Sequence, residues 1–190
     1  MKRRGIGERK RTRGSKSWII LVAIAAVVFL IVTLFSIRLF SSRDLDDVSP
    51  GRYCPESLID KSDVLYVIPL LDNISIADNQ SWCKYILGLN KTIAMHGVYH
   101  APDLPGEFAI DRDKEYILKG IQEFEKCFGF YPSSFKSPQF RLSNNNAILL
   151  KALSLTVPSE FHPFFHKVYH CTDQEQKSYL VWTNRIADWI

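Results

Sequence analysis

The sequence predicts an α/β domain with a mainly parallel sheet or barrel, preceded by one transmembrane helix. Three observations predict it. An uncharged apolar run lies near the N-terminus, short β-branched runs alternate with segments of helical periodicity, and acidic residues outnumber basic ones only after the apolar run.

At 190 residues there is room for one domain once the first forty are set aside. Residues 1 to 16 hold eight Lys/Arg against one acid, Glu8, giving a tail of +7, whereas residues 41 to 190 hold fifteen Lys/Arg and nineteen Asp/Glu, a net of −4. The main domain is therefore not read as a nucleic-acid binder, because phosphate contacts need a positive footprint. Residues 18 to 35, WIILVAIAAVVFLIVTLF, carry no charge and with their flanks are long enough to cross the hydrocarbon core. The main rival is a cleaved signal peptide. Its apolar region is normally about 7–15 residues before a small-x-small site, which residues 34 to 38 do not supply. The basic flank favours a cytoplasmic N-terminus, and the alternative of an RNA-binding arm is weaker. The expected organisation is a basic cytoplasmic tail (1–16), a single-pass anchor in the membrane (17–40) and an extracytoplasmic α/β domain (41–190).

The elements of that domain follow in order. DLDDV at 44 to 48 is a first short strand closed by Ser49, Pro50 and Gly51, so the linker from the anchor is almost absent. VLYVIPLL (64–71) has buried-strand character, residues 76 to 89 have helical spacing, and TIAMHGVYH (92–100) reads as a strand. Residues 111 to 127 make the clearest helix, with Asp111, Asp113 and Glu115 at its start and an apolar face through Tyr116, Ile117, Gly120, Ile121 and Phe124. A short strand at 133 to 140, a helix at 144 to 153 and further strands at Thr156–Val157 and 179 to 182 complete the pattern. All four cysteines (Cys54, Cys83, Cys127, Cys171) follow the anchor, where disulfides persist; three pairings are open, and free core thiols are the alternative.

Four features could carry chemistry. His96 and His100 are four apart, a spacing that puts both imidazoles on one side of a helix or of a strand. Asp46 and Asp47 are adjacent at a strand end, where one can bind a cation while the other takes a proton. Lys136 precedes Ser137-Pro138-Gln139-Phe140 and could hold a carboxylate by a charge-assisted bond. Asp188-Trp189 closes the chain. Singly, each is more readily a solvated turn, a surface lysine or a packing aromatic.

Their order resembles the NodB-type polysaccharide deacetylases, and among them the divergent relatives with Asp-Asp-Val-x-Pro and HGxxH motifs, from about residue 44 to 190. The resemblance implies a distorted (β/α) barrel, incomplete at this length, that binds one divalent metal ion, Zn²⁺ by preference. It implies Asp46 as catalytic base; Asp47, His96 and His100 as metal ligands; Lys136 where better-known members have the arginine that orients the base; and Pro138, Phe140 and Trp189 as substrate-binding residues. The implied activity is metal-dependent removal of acetyl groups from N-acetylated glycans, by a carboxylate and two imidazoles that leave metal positions open for water and substrate. The family's last motif is a strand ending in the histidine that protonates the leaving amine. It should follow Asp188-Trp189, and His162, His166 and His170 precede that point. The alternative is an impaired or truncated deacetylase-like ectodomain that binds metal or glycan; a third is a tethered interaction protein.

Overall fold

The computed structural model describes residues 14–100, 106–172 and Asn184. The chain divides into two compact units after Ser36.

The first unit is the body of an apolar helix, α1 (Gly14–Phe40). Its Ser17–Phe40 stretch is 24 residues long, apolar enough to cross a membrane and not buried against protein. At 1.5 Å per residue that length is about 36 Å, more than the roughly 30 Å of a hydrocarbon core.

Among the described residues the second unit is a five-stranded, all-parallel sheet with helices. Its elements are β1 (Arg43–Val48), α2 (Glu56–Lys61), β2 (Val64–Val67), α3 (Gln80–Gly88), β3 (Thr92–His96), α4 (Lys114–Phe128), β4 (Phe135–Lys136), α5 (Asn144–Ala152), α6 (His162–Phe165) and β5 (Lys167–His170). The strand order is β4-β3-β2-β1-β5. The first four strands add outward in one direction, and β5 returns to the opposite side of β1 with Asp46 level with His170. Parallel strands require crossovers, and α3 and α4 supply them as amphipathic helices. On α4 the residues Ile117, Ile121, Phe124 and Phe128 face a core that includes Leu45, Leu65, Val67, Met95 and Phe135. Asp113 caps its start by accepting the Tyr116 N–H at 2.7 Å, and Gly129 ends it in the left-handed conformation. Gly120 lets α4 approach β3: a Cβ there would lie 2.9 Å from Val98 and closer still to Met95.

Several expected elements are shorter than the sequence suggests. The strand at 64–71 ends at Val67, just before Pro69, and the strand at 92–100 ends at His96 where Gly97 takes φ 62°. The strand at 133–140 keeps two residues before a 3₁₀ turn (Pro138–Phe140), and Thr156 makes a single bridge to Ser134. β5, α2 and α6 were not expected, since four to six residues are too few to show a period. The strand expected at 179–182 lies outside the described residues. The open cysteine pairing is settled as Cys54–Cys171 and Cys83–Cys127, which corrects the free-thiol alternative.

Candidate metal and acid–base site

Adjacent residues on a regular strand point to opposite faces, so Asp46 and Asp47 should diverge. A bulge prevents this. The β1–β2 register shifts between Leu45 and Val48, and Asp47 takes φ 67°, a left-handed conformation that Asp tolerates better than most residues. The two carboxylates then serve two neighbouring clusters.

The first cluster is Asp47, His96 and His100. One ligand atom from each lies within 4.8 Å of the others, which suits a single ion. Asp47 Oδ1 is 3.4 Å from His96 Nε2 and 2.9 Å from His100 Nε2, yet it is buried without a hydrogen-bond partner. Its second oxygen is held 3.2 Å from Arg52 Nη1. His96 Nδ1 lies 3.1 Å from the Lys136 carbonyl, which can only accept, so Nδ1 carries a hydrogen and Nε2 is the atom turned toward Asp47. An orphaned carboxylate oxygen facing imidazole nitrogens is the donor set of a divalent cation, Zn²⁺ included. Burial alone would raise the Asp47 pKa, but the His100 and His96 imidazoles hold the carboxyl far below the ordinary range, and Asp47 in turn raises His100 against its own burial.

The route of His100 to this cluster differs from expectation. The two histidines do not share a strand: β3 ends at His96, and residues 97–100 curl back with left-handed φ at Gly97 and His100. The curl closes around Glu107, a buried residue that no sequence pattern marks. Glu107 Oε1 accepts the N–H groups of Val98 (3.0 Å) and Tyr99 (2.9 Å), Oε2 accepts that of His100 (3.0 Å), and the Tyr116 hydroxyl donates to Oε1 at 2.7 Å. A Cβ at position 97 would collide with Glu107 Oε2 and sit 2.7 Å from Pro138, so only glycine lets the loop close. Pro138 is therefore packed behind the histidine loop.

The second cluster surrounds Lys136, which is fully buried. Its Nζ lies 2.7 Å from Asp46 Oδ1 and 2.8 Å from Asp44 Oδ2, and 3.7 Å from the centre of the Tyr66 ring. β4 is three strand spacings from β1, about 14 Å on a flat sheet, so this contact requires the sheet to curl toward a barrel interior. Asp44 was not singled out, although its i, i+2 relation to Asp46 puts both on one strand face. His162 Nε2 reaches Asp44 Oδ2 at 2.6 Å, His166 stacks on His162 at 3.9 Å, and His166 Nδ1 meets Ser42 Oγ at 3.1 Å. Burial would raise the Asp44 carboxyl, but His162 and Lys136 together hold it below its ordinary value.

His162, His166 and His170 all precede Asp188-Trp189, as the sequence shows, but one of them does end a strand. His170 ends β5 directly beside Asp46, with Nε2 3.9 Å from Asp46 Oδ2. The strand is short, and period-2 patterning is invisible over four residues. Phe140 borders a cavity of about 270 Å³ lined by Ser137, Leu142, Val157 and Pro158 among others. Asp188 and Trp189 lie outside the described residues.

No family model matches the chain, and no curated protein matches it. Solved structures do match. A CE4 family pseudoenzyme from Bacillus anthracis gives a TM-score of 0.56 at 11% identity, covering 80% of this chain and 61% of its own. A mutant of that protein gives 0.56 at 12%, covering 80% and 63%. Another mutant, described as having restored enzymatic activity, gives 0.55 at 12% over the same shares. The chain thus spans 61–63% of the length of these three structures, and the likeness is one of fold. The fold is that of the CE4, or NodB-type, polysaccharide deacetylases, as the order of the sequence motifs implies.

Proposed function

We propose that the chain is a membrane-anchored, metal-dependent amidohydrolase that removes acetyl groups from N-acetylated glycans. One observation carries the reading: the unpartnered Asp47 Oδ1 faces His96 and His100 while the next carboxylate, Asp46, is ion-paired to a buried lysine. A divalent cation held by Asp47, His96 and His100, Zn²⁺ by donor chemistry, would polarise the acetamide carbonyl and acidify a water molecule. The chain's own residues would do the rest. Lys136 holds Asp46 in place through the 2.7 Å ion pair, so that Asp46 takes the proton of the attacking water. His170 faces the same carboxylate and gives a proton to the departing amine as the C–N bond breaks, releasing acetate and a free amino sugar. Phe140, on the rim of the adjoining cavity, offers the sugar ring an apolar face. Trp189 is assigned to the same task on the motif alone.

The basic flank places the N-terminus in the cytoplasm, and two disulfides suit an oxidising space for the domain. A second reading, a metal- or glycan-binding ectodomain without turnover, is favoured by two of the matching solved structures being described as those of a CE4 family pseudoenzyme. Acetate release from chitooligosaccharide by the zinc-loaded chain, abolished in Asp46→Asn with metal content retained, supports hydrolysis. Stoichiometric metal with no acetate release supports the second reading, and no metal uptake refutes hydrolysis and leaves the second reading only its glycan-binding form.

A further inference from the structure

The segment that supplies His162 to the site also bears an aromatic patch facing outward. Phe161 is 65% exposed, Phe164 55% and Phe165 36%, with the Phe161 and Phe164 rings 6.4 Å apart. Phe40, at the end of the apolar helix, is 87% exposed. Four phenylalanines left in water are not a core that failed to form, because the backbone beneath them is firmly tied. The Arg38 guanidinium donates to the Pro163 carbonyl and to Asn184 Oδ1; Lys167 Nζ donates to the Leu39 carbonyl at 2.9 Å; and the Lys167 N–H reaches the Ser42 carbonyl at 3.3 Å.

Those ties join the aromatic turn to residues 38–42, where the chain leaves the candidate span Ser17–Phe40. Arg38, only 6% exposed, is the single charge of that span and lies two residues from its end, where a chain spanning a bilayer would pass from acyl chains to headgroups. A carbonyl bonded to that guanidinium lies at nearly the same depth. With α1 across a bilayer, the Arg38–Pro163 bond would bring Phe161, Phe164 and Phe165 to the level at which aromatic side chains gather on bilayers.

We propose that Phe161, Phe164 and Phe165, with Phe40, form a lipid-contacting foot that inserts into the interface of the bilayer crossed by α1. The inference rests on α1 being a membrane anchor. The same short helix turns its phenylalanines outward and His162 inward to Asp44, so lipid contact and one wall of the site share one backbone.

The test uses the full chain reconstituted in phosphatidylcholine vesicles, with single cysteines carrying an environment-sensitive fluorophore at Phe164→Cys, Phe161→Cys, Leu30→Cys and Ile148→Cys. The four native cysteines remain in disulfides. Leu30 reports insertion of α1, and Ile148, 69% exposed on α5, reports an apolar surface position away from the turn. The expected result is that labels at 161 and 164 are blue-shifted and quenched by lipids bearing a shallow nitroxide. The label at 30 is quenched by a deep nitroxide, and the label at 148 only by aqueous iodide. Labels at 161 and 164 that behave like the one at 148, with 30 deep, overturn the foot while leaving the anchor standing; such a patch would serve a soluble glycan or protein. A label at 30 that reads as aqueous overturns the anchor and the foot together.

Discussion

Replacing Lys136 with methionine tests whether the buried charge cluster holds the fold and the base together. Methionine fills similar volume without charge, so the perturbation is loss of the cation. Lys136 is 0% exposed, Asp44 and Asp46 are each 1% exposed, and Nζ is within 2.8 Å of both carboxylates. Without it two carboxylates remain buried on one strand face, Asp44 with His162 at 2.6 Å and Asp46 with only the longer His170 contact at 3.9 Å. Removing one member of a buried ion cluster costs about 3–5 kcal/mol, and at roughly 2–4 °C per kcal/mol for a domain of this size Tm should fall by roughly 6–20 °C. Near-UV circular dichroism of the detergent-solubilised chain, with disulfides intact, reads the transition. Adding Asp44→Asn to Lys136→Met removes one of the stranded charges and should recover about 0.5–3 kcal/mol. A single variant within about 1 kcal/mol of the wild type, or a double variant no more stable than the single, would refute the reasoning.

Two further outcomes follow from the same geometry. Glu107→Gln sets an amide N–H against the backbone N–H of His100 in place of an accepting oxygen. Zinc affinity in a chelator competition should drop about 10–100-fold, while Glu125→Gln, on the α4 surface, leaves it unchanged. Asp44 has a folded pKa below its ordinary 3.8, so its contribution to stability is complete above about pH 4 and is lost as pH falls through the depressed value. Acid titration of Asp44→Asn should give a shallower loss of stability below pH 4 than the wild type; identical limbs would show that the His162 and Lys136 contacts do not stabilise the charged form.

How far the sequence was legible depended on the range of the interaction concerned. The apolar run, the helix expected at 111–127 and found at 114–128, and the strand expected at 44–48 and found at 43–48 are local patterns, read to within three residues. So was the fold class, because strands alternating with helices leave few ways to build a parallel sheet. The chemistry-bearing side chains could be nominated one by one from residue type and order. Their meeting could not be read, because Lys136 reaches β1 only if the sheet curls, and sheet curvature is a property of all the strands together.

Other features had no local signature at all. Glu107 is buried because three backbone N–H groups of a loop need an acceptor, which becomes apparent only once that loop has folded. His170 became a neighbour of Asp46 because β5 skips past three strands to pair with β1. Composition and periodicity by themselves determined the apolar helix, the fold class and the residue types available for chemistry, since those depend on side chains within a few turns of one another. The tertiary structure alone decided the Asp44–Lys136–Asp46 cluster and the cysteine pairing, which join groups 44 to 117 residues apart, and also the Asp47 bulge and the Glu107 clamp, which are close in sequence but have no periodic pattern to mark them.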